Sequence, residues 1–213
     1  MSMRPKGILF DFDETQFSLA IDWNKLREKL MLMFLRNGFE NKFIKLNPSL
    51  LAGYSYMKQH MPSKSYVIFK TQVEESISAF ELDGYRNGVI LDNSIDILAY
   101  FLNRSINVGI VSSNSNKILR LFLKDNSLET IAVVGREDVR KQKPSPEGTY
   151  MVLSTLGLGK QDTWGVGNSK HDYNAYRLAN LNKIFLVNNK SFSPRHTNTK
   201  LLSSLSELKN ECP

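Results

Sequence analysis

The chain has 213 residues, of which 41% are hydrophobic and 23% charged, and this ordinary balance excludes a largely disordered protein. Its net charge of +7 leaves a nucleic-acid partner open, but no dense basic run is present, so lysines and arginines scattered over a solvated surface explain the charge more simply. The apolar runs are too short to span a bilayer, and the first residues lack the pattern of a signal peptide, so we expect a cytoplasmic protein with no membrane partner.

In chain order, the first predicted element is a buried strand at residues 7–11, a short apolar run that ends in an acid. Similar runs follow late in the chain at residues 108–112, 131–135, 163–167 and 184–187. Helical apolar patterns separate these runs, and strands that alternate with helices predict an α/β fold with a parallel sheet. Near the end of the chain, a group of leucines predicts a short final helix; they are Leu201, Leu202, Leu205 and Leu208.

Between the first two strands lies a stretch whose apolar residues repeat at helical spacing. The two stripes are Leu26, Leu30 and Met33, and then Tyr66, Phe69, Val73, Ile77 and Phe80. Asn47 and Pro48 have the pattern of an N-cap followed by a first-turn proline. No strand pattern interrupts this stretch, so we predict an all-helical domain of residues 17–88. It would be inserted into an α/β core made of residues 1–16 and 89–213.

The acidic segment that follows the first strand is the most informative feature. Asp11 and Asp13 lie where ligands bind in an open α/β sheet, beyond the carboxyl end of a strand. Two carboxylates this close repel each other, and a divalent cation is the simplest reason to hold them together. One carboxylate could then attack phosphorus while the second protonates the leaving oxygen. The alternative is an acidic loop that caps a helix.

Polar residues also follow the later strands. Ser112 and Ser113 end the second strand of the core and could hold a phosphoryl oxygen, although serines in this position also form turns. Lys143 precedes a predicted helix and could neutralise charge on a nucleophile, or could simply be a loop lysine. Asn168 follows a strand, and Asp172 comes four residues later, either as a charge at a helix N-terminus or as part of a metal site.

In this order, the segments resemble the four signature motifs of the haloacid dehalogenase superfamily, and the match covers nearly the whole chain. The matching residues are Asp11, Asp13 and Thr15 in the first motif, Ser112 in the second, Lys143 in the third, and Gly167, Asn168 and Asp172 in the fourth. The resemblance implies a Rossmann-like parallel sheet flanked by helices. The inserted helices would be the small cap of the phosphoglycolate phosphatase-like branch.

The resemblance also implies a Mg²⁺-dependent phosphatase for a small phosphorylated metabolite. Asp11 would be the nucleophile and a metal ligand, and Asp13 the general acid/base with its backbone carbonyl on the metal. Thr15 would support the loop. Ser112 and the Ser113 N–H would bind the phosphoryl group, and Lys143 would stabilise both Asp11 and that group. The second aspartate of the first motif favours phosphoryl transfer over dehalogenation.

The chain departs from the family pattern at two positions. Glu14 stands where members with a small cap usually have glycine. Asn168 replaces the aspartate that usually supplies a metal ligand; its amide oxygen can still bind Mg²⁺ but carries no formal charge. Asp172 could supply the missing carboxylate, directly or through water. We therefore expect weaker metal binding rather than its loss.

Other functions fit the same motifs. A phosphomutase would retain the aspartyl-phosphate for longer, and a phosphate- or partner-binding module would have lost turnover. A phosphatase for nucleic-acid ends is suggested only by the net charge. The presence of Asp11, Asp13 and Lys143 argues against a module. Neither the substrate nor the oligomeric state follows from the sequence.

Overall fold

The computed structural model describes residues 4–38, 56–91, 93–187, 192–194 and 197–212. The chain divides into two compact units, one formed by residues 1–19 and 88–213 and the other by residues 20–87. The first boundary thus follows Leu19, whereas the sequence pattern places it after Gln16. That these units act as a core and a cap remains a prediction.

The first unit is built on a six-stranded sheet with the order β5-β4-β1-β6-β7-β8. Its strands are β1 (Gly7–Phe10), β4 (Asn107–Val111), β5 (Ala132–Val134), β6 (Thr163–Gly167), β7 (Lys183–Val187) and β8 (Thr199–Leu202). All neighbouring strands pair in parallel. Two short strands, β2 (Phe17–Ser18) and β3 (Val89–Ile90), form a separate antiparallel pair. The predicted α/β class with a parallel sheet is confirmed.

Helices flank the sheet because its central strand is apolar on both faces. These helices are α3 (Ser94–Leu102), α4 (Asn116–Asp125), α5 (Glu147–Thr155) and α6 (Lys170–Leu178). Successive strand residues point to opposite faces. Leu9 belongs to the cluster that includes Val152 of α5 and Tyr176 of α6, whereas the ring of Phe10 lies 6.3 Å from that of Phe101 in α3. Helices therefore cover both faces of β1, and its carboxyl end is the part left for binding a ligand.

The second unit contains the predicted helical stripes. Its long helices are α1 (Trp23–Arg36) and α2 (Ser63–Asn87), and the Asp22 side chain caps α1 by accepting from the Lys25 N–H at 2.9 Å. Its core consists of Leu26, Phe34, Met57, Phe69, Val73 and Ile77. Both stripes are thus confirmed as helices, while the predicted helix start at Asn47 and Pro48 lies outside the described residues. In the described ranges, none of the helices combines the length and apolar character needed to cross a membrane.

Two local predictions are wrong. Leu201 and Leu202 belong to strand β8 and not to the final helix, which is the short α7 (Leu208–Glu211) preceded by a 3₁₀ turn. Leu201 is 51% exposed whereas Leu202 is 4% exposed, so the pair alternates as a strand at the sheet edge does. The first unit also contains strand β2, although no strand was expected within residues 17–88; a two-residue strand is too short to show a period in sequence.

Candidate active site

The ends of three neighbouring strands bring the predicted residues to one edge of the sheet. Strand β1 lies between β4 and β6, so the chain crosses to opposite sides of β1 at this point. Asp11 directly follows β1 and continues its ladder by donating its N–H to the Val166 carbonyl at 2.8 Å. Ser112 follows β4 and Asn168 follows β6. This crevice is where ligands bind in open α/β sheets.

Lys143 joins two buried carboxylates at this edge. Its Nζ donates to Asp11 Oδ1 and to Asp172 Oδ1, and also to the Val111 carbonyl at 3.1 Å. The side chains of Lys143, Asp11 and Asp172 are 6%, 8% and 2% exposed. The loop before α5 and the first turn of α6 therefore meet the end of β1 through one ammonium group. Residues predicted separately from the first, third and fourth motifs form a single cluster.

Asp172 is held in place by the start of α6. Its Oδ2 accepts from the Ser169 N–H at 2.9 Å and from Ser169 Oγ at 2.5 Å, while the Asp172 N–H donates back to Ser169 Oγ. This reciprocal arrangement is a capping box. Gly167 makes room for it, since a Cβ at this position would lie 2.5 Å from Asp172 Cβ. The glycine of the fourth motif thus lets Asp172 lie directly against the strand end.

The two carboxylates have opposite electrostatic environments. Burial, followed by the nearby charge of Asp172, raises the pKa of Asp11, and the contact with Lys143 offsets only part of this rise, so that the resulting pKa is about 7. Burial alone would also raise the pKa of Asp172, but Lys143 and the Ser169 hydrogen bonds outweigh it and lower that pKa. Burial likewise opposes the charge of Lys143, yet the carboxylates raise its pKa above the ordinary value. Asp172 and Lys143 are therefore a stable ion pair, and Asp11 is the carboxylate whose charge lacks full compensation.

The acidic loop after β1 supports both of its aspartates. Thr15 Oγ1 donates to Asp11 Oδ2 at 3.2 Å. Asp13 is half-buried, and its Oδ1 accepts from the Leu19 N–H at 3.2 Å. Glu14 has a φ of 58°, in the left-handed region that favours glycine. A glycine would adopt this conformation without strain, and in this chain Ser18 Oγ donates to the Glu14 carboxylate at 2.6 Å.

A polar loop follows β4 and forms the second wall of the crevice. The Ser112 hydroxyl donates to Asn114 Oδ1 at 2.8 Å and accepts from the Asn114 N–H at 3.1 Å. Ser113 is exposed, and among the described residues none accepts a hydrogen bond from its N–H. The Ser113 N–H is thus a donor available to an anion, and a rotation of the Ser112 hydroxyl would add a second.

A metal ion would have to combine different kinds of oxygen at this site. Among the described residues, His, Cys, Asp and Glu side chains form no group of three or more that could hold a metal by themselves. Asp172 accepts from Lys143, from the Asn168 and Ser169 N–H groups and from the Ser169 hydroxyl, more side-chain and backbone donors than Asp11 has, which favours a contribution through water over direct coordination. Asp11, the Asn168 amide oxygen and the Asp13 backbone carbonyl remain, all hard oxygen donors of the kind that Mg²⁺ takes together with water. The excess negative charge at Asp11 suits such a cation.

Two contributors to the site were missed from the sequence. Ser169 caps α6 and binds Asp172, and the pattern Ser-x-x-Asp before a helix could have revealed it. Arg136 is buried beside the Ser112–Asn114 segment and donates to the Ser113 carbonyl. Nothing in its sequence context distinguishes Arg136 from a surface arginine next to a glutamate.

Comparisons with known proteins find one family model and related hydrolases. A family model described as haloacid dehalogenase-like hydrolase matches residues 8–186. A pyrophosphatase PpaX from Oceanobacillus iheyensis is 27% identical over 191 residues, which cover 84% of this chain and 82% of that protein. A phosphoglycolate phosphatase from Photorhabdus laumondii is 30% identical over 84 residues, covering 38% of this chain and 36% of that protein.

Solved structures share the fold. CbbY from Rhodobacter sphaeroides, in complex with phosphate, has a TM-score of 0.66 at 16% identity, with 96% of each chain covered. A HAD-superfamily hydrolase from Ehrlichia chaffeensis has a TM-score of 0.61 at 16% identity and covers 100% of this chain and 98% of its own. At these identities the likeness concerns the fold alone.

The raised pKa of Asp11 predicts how stability changes with pH in the absence of divalent cations. The folded state holds the Asp11 proton to about pH 7 whereas the unfolded state releases it near 3.8, so the free energy of unfolding falls as the pH rises between these values. Asp11→Asn removes this loss, at about 1.4 kcal/mol per pKa unit. In urea denaturation with EDTA, the free energy of unfolding of the variant minus that of the wild type should increase from about pH 4 to 7. Above pH 7 this difference should stay constant.

Asp172→Asn is the matched control, because the pKa of Asp172 is lowered instead. At pH values above the ordinary pKa of an aspartate, the ionised Asp172 stabilises the folded state. This stabilisation is lost as the pH falls and the carboxylate becomes protonated. The variant should therefore be less stable than the wild type at neutral pH, with a difference that shrinks in acid. A stability difference for Asp11→Asn that does not change with pH would contradict the assignment.

Gly167→Ala tests the close approach between β6 and Asp172. The new methyl would lie 2.7 Å from Asp172 Cγ as well as 2.5 Å from its Cβ, so we expect a loss of about 1–3 kcal/mol from overpacking. Gly159→Ala is the control, since its methyl would meet only the carboxylate oxygen of Asp162, at 3.2 Å. Equal denaturation midpoints for the two variants would show that the site tolerates displacement of Asp172.

Proposed function

This chain belongs to the haloacid dehalogenase-like hydrolase family, and on that premise we propose that it is a Mg²⁺-dependent phosphatase that hydrolyses a small phosphate monoester through an aspartyl-phosphate on Asp11. The assignment to this superfamily and to its phosphoglycolate phosphatase-like branch, made from the four motifs, is confirmed. The observation that carries the proposal is the buried cluster of Asp11, Lys143 and Asp172 at the carboxyl end of β1.

The surroundings of Asp11 suit a nucleophile. Lys143 holds one of its oxygens and Thr15 the other, so the carboxylate has one fixed orientation. Burial removes the water that would otherwise solvate its charge, and its raised pKa records this cost. A cation and a phosphoryl group at the strand ends would supply the missing partners. Asp172 remains ionised and keeps Lys143 in place while Asp11 reacts.

When bound, Mg²⁺ would neutralise the negative charge shared by Asp11 and the phosphoryl group. Asp11, Asn168 and the Asp13 backbone carbonyl would hold it, and Asp172 would contribute through water. The Ser113 N–H and the Ser112 hydroxyl would bind phosphoryl oxygens, and Lys143 would stabilise charge on the transferring group. Lys143 is held in place by Asp11 and Asp172, whereas the Ser112 hydroxyl would rotate away from Asn114 to reach the phosphoryl group.

The reaction has two steps that balance in atoms and protons. An Asp11 oxygen attacks phosphorus, the bond from phosphorus to the leaving oxygen breaks, and the Asp13 carboxyl gives its proton to that oxygen. Water then attacks phosphorus while Asp13 takes its proton. The bond between Asp11 and phosphorus breaks, which releases inorganic phosphate and restores the Asp11 carboxylate. The Leu19 N–H fixes the orientation of Asp13 for both transfers.

Inorganic pyrophosphate is a second candidate substrate. The pyrophosphatase PpaX from Oceanobacillus iheyensis is similar to this chain over most of both lengths. Pyrophosphate has a phosphate in place of the alcohol, so the same attack at phosphorus and the same proton transfer from Asp13 would cleave it. A phosphomutase would transfer the phosphoryl group from Asp11 to a substrate hydroxyl instead of to water, and the longer lifetime of its phosphoenzyme separates that activity from a phosphatase.

The first functional prediction concerns turnover itself. The wild type should hydrolyse p-nitrophenyl phosphate only when Mg²⁺ is present, and Asp11→Asn should reduce the rate to background because the nucleophile is gone. Asp96→Asn, at an exposed position of α3, is the matched control and should retain full activity. Absence of wild-type turnover with both p-nitrophenyl phosphate and pyrophosphate at high Mg²⁺ would favour a binding module.

A second prediction concerns the amide in the metal site. Asn168→Asp adds a formal negative charge where the ion would bind, so the Mg²⁺ concentration for half-maximal binding should fall severalfold. Isothermal titration with Mg²⁺ alone measures this without turnover. Asn180→Asp is the control, because it adds the same charge in the turn after α6. If both variants bind Mg²⁺ like the wild type, Asn168 is not a ligand.

A further inference from the structure

Arg136 connects the end of β5 to the polar loop after β4. Only 6% of this residue is exposed, and its Nη1 donates to the Ser113 carbonyl at 3.0 Å. Its backbone N–H donates to the next carbonyl of the loop, that of Asn114, at 2.8 Å. One residue of the neighbouring strand end therefore holds two successive carbonyls of the segment that would bind the phosphoryl group.

The residues around Arg136 complete this attachment. The Glu137 carboxylate accepts from the Asn116 N–H at 2.9 Å, and Asp138 Oδ2 accepts from Asn116 Nδ2 at 2.8 Å. The two segments also approach closely at Gly135, where a Cβ would lie 2.8 Å from the Asn116 backbone nitrogen. Hydrogen bonds thus link the start of α4 directly to the turn after β5.

The position of the guanidinium suits a functional role. An arginine buried this deeply is costly to desolvate, and a packing role alone could be filled by an apolar side chain. Its hydrogen bond fixes the peptide that follows Ser113, an exposed residue of the loop that would bind the phosphoryl group. Donors that are held before binding stabilise an anion more than donors that must be ordered on binding.

We propose that Arg136 is a positioning residue that holds the Ser112–Ser113–Asn114 loop in its phosphate-binding conformation. This inference rests on the proposed function, since it assigns that loop to the phosphoryl group. Arg136 would act through the Ser113 carbonyl and would not touch the substrate. Its loss should therefore weaken the binding of phosphate while Asp11 and Lys143 keep their geometry.

The test uses Arg136→Met and Arg136→Lys in the full chain. Isothermal titration with inorganic phosphate at saturating Mg²⁺ should give a dissociation constant about tenfold higher for Arg136→Met, the effect of losing one hydrogen bond from a charged donor. Arg136→Lys keeps the positive charge and a hydrogen-bond donor. Its dissociation constant for phosphate should therefore lie between those of Arg136→Met and the wild type. With p-nitrophenyl phosphate, KM should rise more than kcat falls. Arg120→Met, at an exposed arginine of α4, is the control and should match the wild type.

A purely structural role predicts a different result. In that case both Arg136 variants unfold at lower urea concentration, but the folded protein binds phosphate with the wild-type dissociation constant, and this outcome overturns the inference alone. If the wild type itself binds no phosphate, the proposed function and the inference both fail. If Arg136→Met does not fold, the Arg136→Lys variant decides by its phosphate affinity.

Discussion

The ion pairs that Lys143 forms with Asp11 and Asp172 are the constraint on which the site depends. They require three segments distant in sequence to meet: the end of β1, the loop before α5 and the first turn of α6. Burying these charges costs more free energy than a well-packed apolar cluster would, so stability alone is a poor reason for their presence. A function that needs a fixed ammonium beside a carboxylate is the better explanation.

Lys143 contacts both carboxylates, yet their pKa values shift in opposite directions. Asp172 also accepts from Ser169 and completes a capping box, so its negative charge is satisfied by the protein. Asp11 accepts from Lys143 and the Thr15 hydroxyl, and the Phe12 backbone also lowers its pKa, yet burial and the charge of Asp172 outweigh these contacts and the pKa of Asp11 is raised. Paired titratable groups whose environments push their pKa values apart mark a division of roles. Here Asp172 anchors Lys143, and Asp11 is left for a cation and a phosphoryl group.

Much of this site was predictable because parallel strands place their carboxyl ends at one edge. Once Asp11, Ser112 and Asn168 were assigned to strand ends, their proximity followed. Contacts made by side chains from other segments were not predictable in this way. The burial of Arg136 depends on how two loops pack, and the left-handed backbone at Glu14 depends on the tight turn after β1.

The central claim is that Asp11 becomes phosphorylated, and trapping the phosphoenzyme tests it most directly. The enzyme would be mixed with excess p-nitrophenyl phosphate and Mg²⁺, quenched in acid during turnover and digested for mass spectrometry. We predict a hydroxylamine-sensitive phosphoryl group on the peptide that contains Asp11, absent from Asp11→Asn. Turnover by the wild type with no phosphoryl group on this peptide, or with one on another residue, would contradict the account.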